Sequence, residues 1–373
     1  MIKGLYVHIP FCRQICHYCD FPKMISDRSH REKYVNALAC EMQMKKTLLE
    51  NVETVYLGGG TPGYLEEDLM LIVLESIRDV THKNVFKEFT LETNLIDITP
   101  ENARLWKQGG INRISVGVET FSLDLLKSIG RTGGYQMAKS ALETLRRAGF
   151  DNINFDMIYG LPGETTELVE KDIASIGKLR PDHVSWYSLI LEKKTRLYHD
   201  VMAGIVKLPE DDLVYDMSDM VIDGLENLGY NRYEISNFSH PGKESLHNTS
   251  CWNLEEYLGV GLGACSQYDS KRFRNISGWK GYIEAVLDGK GILTTEEMFE
   301  FELERVMLGL RQVNGIDKNE FKHETNLDVF ERFPALKKHL ETGLLTDDSG
   351  RIRLTRKGLD LANTVMRDLF GEE

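Results

Sequence analysis

Three of the chain's six cysteines, Cys12, Cys16 and Cys19, stand in the pattern C-x3-C-x2-C near the start of the sequence. Thiolates are soft ligands that suit iron–sulfur clusters and zinc. A loop this tight can aim three of them at one point. Three thiolates on a four-iron cube leave one iron without a protein ligand, and an open coordination position can take a small molecule. Two other uses fit less well. Cys16-His17-Tyr18-Cys19 alone is a C-x-x-C that could serve as a redox dithiol opening a helix. Cys12 would then have no role, and Pro22 follows almost at once. Structural zinc takes four ligands, usually with a second C-x-x-C or H-x-H pair, and no such pair follows. A four-iron cluster is the expectation.

The elements that must position this loop alternate along residues 1 to about 190. Short stretches rich in β-branched and aromatic residues predict strands over Leu5–Ile9, Thr54–Leu57, Glu88–Glu92, Arg113–Val118, Asn152–Ile158 and His183–Leu189. Helical stretches lie between them, and Thr99-Pro100 reads as an N-cap followed by proline in the first turn. Six such units in series predict an α/β fold with a parallel sheet wrapped by helices, open or closed. In these folds ligands bind at the carboxyl ends of the strands. The sequence places its chemistry there. The cysteine loop follows the first strand, and Gly58-Gly59-Gly60-Thr61-Pro62 follows the second. The third strand ends in Glu92-Thr93-Asn94 and the fourth in Glu119-Thr120, while the fifth carries Asp156. Carboxylates at strand ends suit a cationic ligand.

The string Tyr-x-His-x-Pro-Phe-Cys-x3-Cys-x-Tyr-Cys-Asp-Phe, from Tyr6 to Phe21, resembles the radical S-adenosylmethionine (radical SAM) superfamily. Within it the string is similar to the branch that holds oxygen-independent coproporphyrinogen III oxidase and the haem chaperone HemW. The resemblance implies a partial (β/α)6 barrel. It implies a [4Fe-4S] cluster on Cys12, Cys16 and Cys19, with SAM's amino and carboxylate groups on the open iron. It further implies SAM-facing roles for Tyr6, Gly59, Gly60, Thr61, Glu92, Glu119, Arg131 and Asp156. In the superfamily an electron from a flavodoxin- or ferredoxin-like donor cleaves SAM to methionine and a 5′-deoxyadenosyl radical. Within the expected barrel, two positions depart from the family pattern. Glu119 stands where Gln is usual, and Gly133 stands where His is usual two residues after Arg131.

The barrel pattern fades after Leu191. His247-Asn248-Thr249-Ser250-Cys251-Trp252 and Gly261-Leu262-Gly263-Ala264-Cys265 match family strings that usually carry Tyr and His in place of the two cysteines. The resemblance makes His247 the candidate haem ligand. A lone histidine is more often a plain hydrogen-bonding residue, and Cys251 and Cys265 read as small buried residues or soft axial ligands. The last stretch predicts a helix over Glu302–Arg311, short helices, a hairpin around Asp347-Asp348-Ser349-Gly350 and a closing helix from Arg356, an order that resembles a winged helix. The expected division is a radical SAM core over 1–200, an α+β extension over 201–295 and a winged-helix-like domain over 296–373.

Bulk properties exclude several classes. The formal charge is −13, from 45 basic and 58 acidic residues, so the chain lacks the electrostatic footprint of a nucleic-acid binder. Residues 316–370 carry ten basic and ten acidic side chains, which does not support DNA binding by the winged-helix-like part. No apolar run approaches the roughly 18–20 residues of a membrane span, and the N-terminus lacks a signal-peptide pattern. A cytoplasmic location is expected.

The family's oxidase has a fourth cysteine two residues after the third and a longer arm before the cluster. Here Phe21 holds that position and eleven residues precede Cys12. Both features favour a haem chaperone that binds haem and passes it to haem-requiring partners. The alternative is an enzyme that oxidatively decarboxylates coproporphyrinogen III or acts on another tetrapyrrole.

Overall fold

The computed structural model describes residues 1–289 and 292–370. Six parallel strands form its centre: β1 (Gly4–Ile9), β2 (Thr54–Gly59), β3 (Glu88–Asn94), β4 (Arg113–Glu119), β5 (Ile153–Tyr159) and β6 (His183–Ser188), paired in sequence order. The crossovers are α1 (Arg28–Met44), α2 (Glu67–Thr81), α3 (Pro100–Gln108), α4 (Leu123–Ser128) with α5 (Tyr135–Arg147), and α6 (Thr166–Leu179). Local chemistry sets their starts. Asp27 caps α1 by accepting from His30 N, and Thr99 caps α3 by accepting from Asn102 N. The first helix ends at Met44, and a short 3₁₀ turn over Lys46–Leu48 follows it.

Each central strand is apolar on one face and largely polar on the other. Leu5, Val7 and Ile9 of β1 and Ile114, Val116 and Val118 of β4 join one continuous core with the helices. The intervening residues face inward. Register places Tyr6 beside Tyr56, Tyr56 beside Thr90, Glu92 beside Ser115, and Ser115 beside Asn154. The inner wall of the half-barrel is therefore polar, a period of two that the strand pleat dictates.

After α7 (Arg196–Met202) and α8 (Asp211–Asn227), the chain adds strands to both edges of this sheet. On one side β7 (Asn231–Arg232) and β8 (Asn237–Ser239) extend it antiparallel beyond β6. On the other, after α9 (Leu246–Trp252), β9 (Tyr257–Val260) runs parallel to β1, and β10 (Cys265–Tyr268), β11 (Lys271–Asn275) and β12 (Leu293–Met298) continue antiparallel. The result is one open twelve-stranded sheet. Leu258 and Val260, with Tyr282 and Val286 of α10 (Trp279–Leu287), share the core of the central strands, so the extension is built onto the barrel.

From α11 (Phe301–Arg311) onward a second core forms around Leu310, Phe321, Leu336 and Ile352. Its three-stranded sheet has the order β13 (Ile316–Asp317), β15 (Arg351–Leu354), β14 (Leu345–Asp348), with helices on either side in chain order. The expected hairpin over Asp347–Gly350 is the β14–β15 connection. Val313 N donates to Tyr233 O, and Arg272 pairs with Glu304 at 2.9 Å, fastening this domain to the barrel. Among the described residues no helix is long and apolar enough to cross a membrane.

Candidate functional site

The cysteine loop leaves the top of β1 and is held from two sides. Cys12 N donates to Met24 O at 3.0 Å and Met24 N to Pro10 O at 2.7 Å. On the other flank Gly60 N donates to Ile9 O at 2.8 Å and Thr61 N to Phe11 O at 2.9 Å. This contact requires glycine. A Cβ on Gly60 would lie 2.8 Å from Phe11 O and 2.9 Å from Cys12 Sγ, and Gly59 has φ +124°. The glycine turn and the cysteine loop thus touch backbone to backbone.

Cys12 is buried, while Cys16 and Cys19 are partly open. Burial pushes the Cys12 thiol up to about 12, and the neighbouring Cys19 and Cys16 add to the rise. Holding three thiolates here would call for positive charge among them, which a bound metal cluster would supply. Among the described residues no three His, Cys, Asp or Glu side chains converge closely enough to hold a single metal ion. A cleft of about 540 Å³ lies beside the loop, lined by Cys16, Cys19, Ile15, Phe21, Lys194 and Arg196.

Below the loop the inner wall presents two carboxylates. Glu92 accepts from Tyr56 OH at 2.7 Å and from Gly59 N at 3.0 Å. Burial raises it to about 7, with Asp156 as a second, like-charged cause. Asp156 accepts from Ser115 Oγ at 2.7 Å and Asn154 Nδ2 at 2.9 Å, and burial raises it as well. Tyr6 stacks on Tyr56 with ring centroids 6.1 Å apart, and its hydroxyl lies 2.9 Å from His8 Nδ1. A cationic ligand held between these carboxylates would hold them ionised.

Across the mouth, Arg131 forms a buried ion pair with Glu119 at 2.7 Å. Asn94 links this pair to the glycine turn, accepting from Arg131 Nη1 at 2.7 Å and donating to Thr61 Oγ1 at 2.7 Å. The expected site residues Tyr6, Gly59, Gly60, Thr61, Glu92, Glu119, Arg131 and Asp156 therefore line one concave wall with the cysteine loop. Sequence reasoning missed His8, Tyr56, Asn94 and Ser115. Strand parity was the available signal: His8 is two residues after Tyr6, and Asn94 two after Glu92.

His247 lies elsewhere. It sits against Gly4, Thr54 and Tyr56 at the amino ends of β1 and β2, the end of the sheet opposite the cysteine loop. The ring is 5% exposed. Its Nδ1 shares a 3.0 Å hydrogen bond with Thr54 Oγ1, its backbone N donates to Glu88, and burial lowers it to about 4. Cys251 and Cys265 are half-buried and near Tyr257, whose hydroxyl is raised by burial first, with the two cysteines as lesser causes.

The half-barrel, with a cysteine loop above the first strand, is the architecture of a radical SAM protein. Residues 6–176 match the profile of the Radical SAM superfamily and residues 300–361 that of the HemN C-terminal domain. The chain belongs to the HemW haem chaperone family. It is 37% identical to the heme chaperone HemW of Lactococcus lactis, over 97% of this chain and 96% of that protein. It is 36% identical to HemW of Bacillus subtilis over the whole of both chains, and 29% identical to that of Escherichia coli over 99% and 98%. The fold is also that of the radical SAM coproporphyrinogen III oxidase (HemN) of Escherichia coli. That structure superposes with a TM-score of 0.85 at 23% identity, over 99% of this chain and 90% of that one. Membership of the superfamily implies a [4Fe-4S] cluster and SAM.

Proposed function

We propose that this chain binds haem and delivers it to haem-requiring proteins, with a cluster- and SAM-binding core attached to that task. The full-length similarity to HemW chaperones carries the reading. Phe21, 65% exposed where the family's oxidase has a further cysteine, supports it.

In this reading Cys12, Cys16 and Cys19 hold the cluster. Glu92 and Asp156 face the cationic groups of SAM, while Tyr6, Thr61 and the backbone of Gly59 and Gly60 shape its pocket. Glu119 and Arg131 close the pocket wall. The cluster and SAM, when bound, supply one-electron reductive chemistry. The protein's part is to orient SAM and exclude water from it. A flavodoxin- or ferredoxin-like donor would dock at the cleft beside Cys16 and Cys19, where Lys194 and Arg196 give a positive rim within an acidic protein. The cytoplasm is the proposed setting.

For haem, His247 is the proposed ligand. Its imidazole is neutral at physiological pH because burial lowers its pKa. With Nδ1 donating to Thr54, Nε2 keeps its lone pair for iron. Reaching it requires the α9 segment to open, since the ring is buried.

Anaerobic reconstitution followed by haem titration tests the reading, with coproporphyrinogen III incubated in parallel. A stoichiometric Soret band without carbon dioxide release supports the chaperone. Carbon dioxide release without haem binding would replace it with the decarboxylase.

A further inference from the structure

Arginine has five N–H donors in a fixed fork. All five of Arg131 are committed. Nε donates to Glu119 Oε2 at 2.9 Å. Nη2 donates to the same oxygen at 2.7 Å and to Gly117 O at 3.0 Å. Nη1 donates to Asn94 Oδ1 at 2.7 Å and to Cys16 Sγ at 3.7 Å. The guanidinium thus faces a cysteine of the cluster loop with a defined orientation and no spare donor.

The chain invests in this arrangement at Glu119. The register of β4 against β5 shifts between Gly117 and Glu119, and Glu119 takes φ +61°, a left-handed conformation that is strained for a side-chain-bearing residue. An irregularity of this kind re-aims a side chain next to a site. Here it turns the carboxylate onto Arg131. Tyr18 OH fixes the other oxygen at 3.1 Å. Gly117 is required as well, because a Cβ there would lie 2.6 Å from Arg131 Nη2.

We propose that Arg131 tunes the cluster through an N–H···S bond to Cys16, and that Glu119 is the positioning residue that holds it there. Hydrogen bonds and positive charge at a ligand sulfur stabilise the reduced cluster and raise its potential. The Glu119 carboxylate partly neutralises that charge while fixing its direction. Any contact of Arg131 with SAM must then come by exchange with one of these partners. The proposal is independent of haem.

The test is potentiometry and resonance Raman spectroscopy on full-length protein, reconstituted without SAM and matched for iron and sulfide content. Arg131→Met should lower the midpoint potential and raise the Fe–S(Cys) stretching frequency. Arg131→Lys, which keeps the charge but loses the fork, should lower the potential less. Glu119→Gln should raise it, since the charge on Arg131 is no longer offset. A wild-type potential and stretch in Arg131→Met overturns the proposal. If that variant takes up no cluster, an unchanged potential in Glu119→Gln overturns it instead.

Discussion

Glu92 Oε2 accepts a 3.0 Å hydrogen bond from Gly59 N, so the carboxylate at the end of β3 is fastened to the glycine turn at the end of β2. Its second oxygen is held by Tyr56. The carboxylate therefore points into the pocket in a fixed orientation before any ligand arrives. Glu92→Gln keeps the shape and removes the charge. Loss of one charge-assisted hydrogen bond costs on the order of 1.5–3 kcal/mol, roughly 10- to 150-fold in SAM affinity. Calorimetric titration of the reconstituted protein measures it, and wild-type affinity would remove Glu92 from the SAM site.

The same residue predicts a pH dependence. Burial, reinforced by Asp156 from β5, raises Glu92 from 4.5 to about 7, against the opposing pull of Tyr56 and Gly59 from β2 and Arg113 from β4. The folded state therefore favours the protonated acid. That contribution to stability is complete below about pH 4.5 and is lost as pH rises through 7. SAM, being cationic, should bind more tightly over the same rise. Denaturant melts of wild type and Glu92→Gln from pH 5 to pH 8 check the first statement, with the variant losing this part of the pH dependence. SAM titrations over that range check the second.

Alanine at Cys12, Cys16 or Cys19 should abolish most of the visible cluster absorbance after reconstitution. Cys40, exposed on α1, should be replaceable without loss. Equal loss at Cys40 and Cys16 would show that the ligand set is wrong.

Gly60→Ala puts a methyl group 2.8 Å from the Phe11 carbonyl and 2.9 Å from Cys12 Sγ. Backbone cannot yield as a flexible side chain does. The variant should lose about 1–3 kcal/mol of stability and take up less iron, because the two loops must part. Thermal melts and iron analysis measure both. Full cluster loading in Gly60→Ala would mean the close approach is dispensable.

Haem titration separates a ligand from a packing histidine. His247→Ala should lose binding, and Thr54→Val, which deletes the hydroxyl partner of Nδ1, should weaken it roughly 10- to 100-fold by releasing ring orientation. Unaltered spectra and affinities in both variants would make His247 structural.

The order of elements was legible because strand and helix differ in period. The six central strands fall within two residues of their expected ends. Cys12 and Gly60 were legible as candidates because they follow the ends of β1 and β2, where ligand chemistry concentrates, whereas Asp156 lies in the middle of β5 and was named from the family resemblance. What escaped was the pairing between them. Asn94 reads as an ordinary polar residue until Thr61 and Arg131 are seen on either side of it. The shift that turns Glu119 onto Arg131 leaves no mark in composition. His247 was legible as a histidine in a matching string, but its burial at the far end of the sheet depends on β9 pairing with β1 across more than 240 residues of sequence.

The alternation of apolar and polar faces along the central strands has a consequence for assembly. A slip of one residue in β4 would turn Ile114 and Val116 into the pocket and drive Arg113 and Ser115 among the hydrocarbon of the helices. Such a strand would lose apolar burial and strand a charge in the same event. The chemistry of the chamber thus acts as a proofreader of its own walls. Substitutions that make the inner face more apolar would weaken that check even at positions where no ligand is touched.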